Sequence, residues 1–328
     1  MAAPWYILLM LRKVAVVLVF AGGARAQSAE QLRALIAATP RLPLQPLAIA
    51  PAGPDLGTVS SVAMDPRGAI YILQRGDKAD PVIVVNREGR VLRSWGKGMY
   101  KVPHSIRVDP QGNIWTVDAG SSTLLEFTPE GRKLQQIEAG EVATADKCAF
   151  PTLCGATDVA FGPDGRLFIS DGYGNARILE YTADGKRVKV WGSAGSGPGQ
   201  FKIPHGVATD GKTLFVADRE NARIQRFDLD GKYLGEWTHL GRPFALKMSG
   251  GALWAASMTT EAAGRGGDSK QGPRPAPFAF QIDPASGKVL GQIEFSGPHS
   301  IDVNAAGELA ASGCCGGSNP MGVWLFHR

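Results

Sequence analysis

The sequence predicts an all-β chain folded as a six-bladed β-propeller, its ring closed by a strand from the N-terminal region. Three observations lead there. One strand–turn unit recurs from Gly57 onward with a period of ~40–50 residues, the length of a four-stranded blade. Its copies begin near Val59, Val102, Thr157, Ile203, Pro243 and Pro298. The last copy stops one strand short, after residues 323–326, and the extended residues 42–50 can supply that strand and cover the open edge. Three of the five histidines also share one context, Pro103-His104-Ser105, Pro204-His205-Gly206 and Pro298-His299-Ser300, at spacings of 101 and 94 residues, about two units each.

Residues 1–26 read as a secretory signal peptide. Arg12-Lys13 precedes the apolar residues 14–21, and Ala24-Arg25-Ala26 gives a small-x-small cleavage site before Gln27. A membrane span needs ~20 apolar residues, so a cleaved export signal is the better reading than an anchor. The expected location is the periplasm or the exterior, with no membrane association after cleavage. Residues 27–56 form a leader and the closing strand, and residues 57–328 form the propeller. Removing the signal lowers the formal charge from +5 to about +2, which leaves no basic field to recruit nucleic acid.

Within each unit an apolar strand runs into a turn such as Asp65-Pro66-Arg67-Gly68, Asp109-Pro110-Gln111-Gly112 or Gly162-Pro163-Asp164-Gly165. A second strand, generally ending in Asp, and a third strand follow. A second turn type then leads to the fourth, as in Arg87-Glu88-Gly89-Arg90, Pro129-Glu130-Gly131-Arg132, Ala183-Asp184-Gly185-Lys186, Leu229-Asp230-Gly231-Lys232 and Ala285-Ser286-Gly287-Lys288. Gly and Pro at fixed offsets between short apolar runs are the mark of antiparallel strands joined by tight turns. Two places break the period: the Gly/Pro-rich residues 259–277 in blade five, and the blade two–three connection with Cys148 and Cys154.

Aligned on the turn glycines, His104, His205 and His299 fall at one position of the innermost strand in blades two, four and six. Ser60, Thr157 and Pro243 or Phe244 occupy it in blades one, three and five. Alternate blades of a six-fold ring are ~120° apart, so three imidazoles can enter the axial channel at one level. Three histidines with an open fourth position form the donor set of a catalytic zinc site, although other divalent metals also accept it. A single histidine here would be read as a hydrogen-bonded core residue; three in register favour a metal. His239 and His327 lie outside the register and are expected at the surface.

The stretch from Asp158-Val159-Ala160 through Ser170-Asp171-Gly172-Tyr173-Gly174-Asn175-Ala176-Arg177-Ile178 and the stretch Ala217-Asp218-Arg219-Glu220-Asn221-Ala222-Arg223-Ile224-Gln225 carry a family likeness. With Gln74-Arg75-Gly76-Asp77 and the three Pro-His motifs, they resemble peptidyl-α-hydroxyglycine α-amidating lyase, from about Gly57 to the C-terminus in collinear order. That family belongs to the NHL-repeat propellers. The resemblance implies cleavage of the Cα–N bond of a small anionic or peptide substrate ending in α-hydroxyglycine, giving an amide and glyoxylate. It implies zinc on His104, His205 and His299, with Tyr173 as general base. Arg75 would stabilise the tyrosinate or the anionic transition state, and Arg219 would be a second cation for the substrate carboxylate. A separate hydroxylating monooxygenase would supply the substrate.

The chain departs from the family at several positions. Gly174 stands where the family has a half-cystine, so Cys154 is free or paired elsewhere, Cys148 being the nearest candidate; the pairing of Cys314 and Cys315 stays open. The family's structural calcium maps to the carbonyls of Val62 and Ile106. Ser300 replaces its carboxylate, which leaves a weak site at best, because calcium favours carboxylate oxygen. Gly297 replaces a methionine of the pocket wall. Two other classes compete with the lyase: a metal-dependent hydrolase on the same site, and a propeller serving as a ligand- or peptide-binding module.

Overall fold

The computed structural model describes residues 29–144, 146–149, 151–258, 278–295, 297–313 and 322–328. The expected signal peptide, the insert at 259–277 and Cys314-Cys315 lie outside those residues. Six four-stranded antiparallel sheets form the ring. Their innermost strands are Val59–Met64, Pro103–Val108, Asp158–Phe161, Pro204–Thr209, Arg242–Ser249 and Pro298–Val303.

Blade six closes as expected. Its outer strand is Gln45–Ile49, antiparallel to Val323–His327 with Gln45 opposite His327 and Ile49 opposite Val323. Helix Ala29–Ala38 precedes it. Leu32 of that helix is buried among Phe215, Trp237 and Phe280 at the junction of blades four and five. The chain then runs along the rim of blade five, where Gln292 and residues 40–42 exchange backbone hydrogen bonds of 2.9 and 3.0 Å.

Six apolar clusters occupy the six blade junctions, one each. The second and third strands are almost wholly buried between neighbouring sheets, whereas outer strands such as Arg187–Trp191 face solvent. A repeated contact locks adjacent blades. Gly131, in a turn of blade two at φ +91°, lies so close to Trp95 of blade one that a Cβ would sit 2.7 Å from the indole. Gly231 meets Trp191 and Gly287 meets Trp237 in the same way. Glycine serves here both the left-handed turn and the close approach.

Candidate metal centre

The innermost strands bring the three histidines onto the axis by a local irregularity. In blades two and six the register shifts between Pro103 and Ser105 and between Pro298 and Ser300, so the histidine in between is unpaired. In blade four the shift spans Pro204 to Val207 and includes His205. Such bulges redirect a side chain out of the normal alternation. The ring centroids of His104, His205 and His299 form a nearly equilateral triangle with sides of 4.9, 5.0 and 5.0 Å. Their donor nitrogens lie within 4.8 Å of one another, and all three residues are buried.

The odd-numbered blades hold these rings by their backbones. Nδ1 of His104 donates to the carbonyl of Thr157 at 2.6 Å, that of His205 to Phe244 at 2.8 Å, and that of His299 to Ser60 at 2.6 Å. A carbonyl oxygen can only accept, so each Nδ1 carries the proton and each Nε2 keeps its lone pair. Gly206 permits one of these bonds: a Cβ there would lie 2.7 Å from the Phe244 carbonyl oxygen. The three partners sit at the aligned odd-blade positions, but their role as backbone acceptors has no side-chain signature and was not foreseen.

Tyr173 completes the cluster. Its Oη lies 2.9 Å from His104 Nε2 and 3.0 Å from His205 Nε2. The chain around it is pinched: a Cβ on Gly172 would meet the Pro204 carbonyl oxygen at 2.0 Å, and one on Gly174 would meet Ala143 Cβ at 2.1 Å. This accounts for Gly174 in place of a half-cystine. Cys154 instead pairs with Cys148, and the short loop they close grips the Tyr173 backbone, which donates to the Gly155 carbonyl and accepts from Ala149 N–H.

Burial first, then like charge from His299, keeps His104 well below the usual imidazole range; His205 is lowered by burial and by Arg219. His299 is pushed down to about 3 by burial and then by Arg75. Burial thus favours the neutral imidazole, whose Nε2 lone pair can accept a cation. The two Nε2 atoms on Tyr173 are acceptors facing a single phenol proton, an excess of lone pairs that a cation relieves. The donor set, its buried location and its protonation all fit a metal ion, and three buried histidines are placed to hold one.

Both predicted arginines reach this cluster. Arg219 is 4% exposed, its guanidinium 5.6 Å from the Tyr173 ring centroid and 5.0 Å from that of Phe244. Glu220 fixes it by accepting from Nε at 2.9 Å, and the same oxygen accepts from Arg242 at 2.5 Å. Sequence reasoning missed Phe244 and Arg242 as parts of this wall. Arg75 donates through Nε to the Pro103 carbonyl at 2.9 Å, beside His104, while one of its terminal nitrogens is buried without a partner. Burial lowers its pKa.

Other positions marked in the sequence make hydrogen bonds outside the histidine cluster. Val62 and Ile106 donate their N–H groups to Ser300 Oγ and Ser61 Oγ, which bond each other at 2.9 Å. The repeated Asp, Asn and Arg residues clamp loops: Asp218 holds Asn221, Arg223 and Lys202 N–H, and Asp171 holds Asn175 and Arg177. His239 bonds the Gly287 carbonyl and, like His327, is partly exposed away from the axis. A 440 Å³ groove lined by Arg67, Arg87 and Glu308 lies at a blade edge, and a 240 Å³ cleft is lined by Arg107, Val207 and Leu246 of the innermost strands; no histidine of the cluster lines either.

A family model described as a 6-bladed beta-propeller matches residues 143–241. The peptidylglycine alpha-amidating monooxygenase of Rattus norvegicus is 30% identical over 82% of this chain but only 30% of its own length. The chain thus spans about a third of that relative. Peptidyl-alpha-hydroxyglycine alpha-amidating lyase 2 of Drosophila melanogaster is 27% identical over 77% of this chain and 67% of its own. NHL repeat-containing protein 3 of Homo sapiens is 32% identical over 56% of each. Among solved structures, a streptogramin B lyase superposes with a TM-score of 0.58 at 16% identity, covering 86% of this chain and 97% of that one, which supports the fold alone. Sequence and fold together make this chain a six-bladed β-propeller, similar along most of its length to the peptidyl-α-hydroxyglycine α-amidating lyases and over about half of it to an NHL repeat-containing protein.

Proposed function

We propose that this chain is an exported zinc-dependent lyase that cleaves the Cα–N bond of an N-acyl-α-hydroxyglycine, giving a carboxamide and glyoxylate. The observation that carries the reading is the placement of Tyr173 Oη within hydrogen-bonding distance of two of three converging imidazoles. His104, His205 and His299 would hold the ion, which when bound supplies Lewis acidity toward the substrate hydroxyl. Tyr173 Oη is then the base in reach of the hydroxyl proton. As the oxygen's electron pair closes to a carbonyl, the Cα–N bond breaks. The departing nitrogen takes the bonding pair and recovers the proton from Tyr173, so atoms and charge balance without a redox partner. Arg219 places a second cation beside the phenol, its guanidinium 5.6 Å from the Tyr173 ring centroid. Arg75, with an unpartnered buried N–H, is a donor for an anionic substrate group. A hydroxylating monooxygenase acting earlier would supply the substrate.

The test is metal analysis of purified protein together with glyoxylate release from an α-hydroxyhippurate-type compound. About one zinc per chain and turnover are expected. Tyr173→Phe should keep the metal and lose roughly 10²–10⁴-fold in rate, the range for positioned acid–base groups. Unchanged turnover in that variant would remove Tyr173 from the chemistry and favour a hydrolase-type reaction. Metal without turnover of any such compound would remove the substrate assignment.

A further inference from the structure

The axial channel continues past the histidines and is filled by one side chain. Arg107 follows His104 by three residues on the same strand and is 5% exposed. Its Nε donates to Asp158 Oδ1 at 2.9 Å, and a terminal nitrogen pairs with Oδ2 of the same carboxylate. The terminal nitrogens also donate to the carbonyls of Ile301 and Leu246, each at 3.2 Å. Asp158 accepts further bonds from Ser105 Oγ at 2.5 Å and Val207 N–H at 3.3 Å. Blades two to six therefore meet around one guanidinium. The cavity between it and the imidazoles measures about 10 Å³, at the lower limit of what one water needs.

The groups that hold Arg107 form a set of hard acceptors: one carboxylate and two main-chain carbonyls from three different blades. Oxygen atoms of this kind, on a ring that cannot collapse, are what a hard divalent cation selects. They are a different set from the carbonyls of Val62 and Ile106. We infer that the centre of this ring is a cation site which the chain fills with its own Arg107, so that the guanidinium does the work a bound calcium ion would otherwise do. A planar guanidinium suits the task, since its five N–H donors can serve a bidentate carboxylate and two carbonyls at once. The tethered charge is permanent, and binding depends on no external ion.

Thermal unfolding of the full chain with calcium as the probe tests this. For the unaltered protein, millimolar calcium chloride should shift Tm by less than ~1 °C relative to sodium chloride of equal ionic strength. Arg107→Ala leaves Asp158 buried and unpaired, and Tm should fall by roughly 8–15 °C. Calcium should restore at least half of that loss, saturably. Magnesium should restore less, because it demands a tighter octahedron and gives up its water reluctantly. Arg107→Ala combined with Asp158→Asn should show no calcium rescue. Should Arg107→Ala not fold unaided, refolding in calcium against sodium replaces the melting curve, and recovery in calcium alone is expected. The idea fails if calcium leaves Arg107→Ala unmoved, stabilises the unaltered protein equally, or rescues the double variant as well as the single one.

Discussion

Even and odd blades meet the axis at the same level and treat it differently. Blades two, four and six present imidazoles; blades one, three and five present the carbonyls of Ser60, Thr157 and Phe244, each accepting from the Nδ1 of a histidine. The even blades depend on side-chain identity, because no other residue supplies a neutral nitrogen donor at that reach. The odd blades contribute through the main chain, so position matters there more than residue type. One layer of the ring thus obeys two kinds of sequence constraint.

The largest effect should come from removing an even-blade ligand. His205→Ala is expected to lower metal affinity by at least ~100-fold and to abolish turnover while the propeller stays folded, read by metal content and circular dichroism. Retained metal would mean that the imidazoles are only packing.

Acidification of the metal-free protein comes next. All three imidazole pKa values are lowered by burial, His299 to about 3, whereas an unfolded histidine titrates near ~6.5. Below that pH the unfolded chain binds protons that the folded one refuses. The stability conferred by the cluster is complete above the unfolded value and is lost as pH falls toward the folded ones. Each histidine contributes up to ~1.4 kcal/mol per pH unit. Urea midpoints at pH 7, 6 and 5 should therefore decline steadily; a flat profile would show that the rings titrate normally.

The smallest effect should follow from an odd-blade side chain. Ser60 Oγ makes a hydrogen bond of 3.2 Å to the Leu73 carbonyl, while its own carbonyl holds His299. Ser60→Ala should leave metal content unchanged and cost no more than ~1 kcal/mol in denaturant unfolding. Loss of metal in this variant would contradict the main-chain role of the odd blades.

The same contrast explains what was legible in the sequence. The turn glycines and repeated apolar runs mark the blades, and the shortened last unit marks the closing strand, because such features need particular residue types. His104, His205 and His299 could be found for the same reason, and Tyr173, Arg75 and Arg219 through their likeness to a family. The carbonyl partners could not be found, since every residue has a carbonyl. Arg107 reads as an ordinary strand residue and Asp158 only as the start of a family-like stretch; the ring alone brings their side chains together. Phe244 was legible as a position but not as the face on which Arg219 and His205 pack. The seat of helix Ala29–Ala38 between blades four and five depends on Leu32 finding a tertiary partner.

Closure of the ring sets an order in time. Strand Gln45–Ile49 pairs with Val323–His327, some 280 residues further along the chain, so ring closure waits for the last blade. Until then the blade six–blade one cluster, which includes Ile49, Val323 and Leu325, cannot assemble. Before closure the chain is an open arc with strand edges available for wrong pairing. Because the histidines come from blades two, four and six, the third ligand also arrives only with the last blade. The histidine cluster is therefore complete only when the last blade closes the ring.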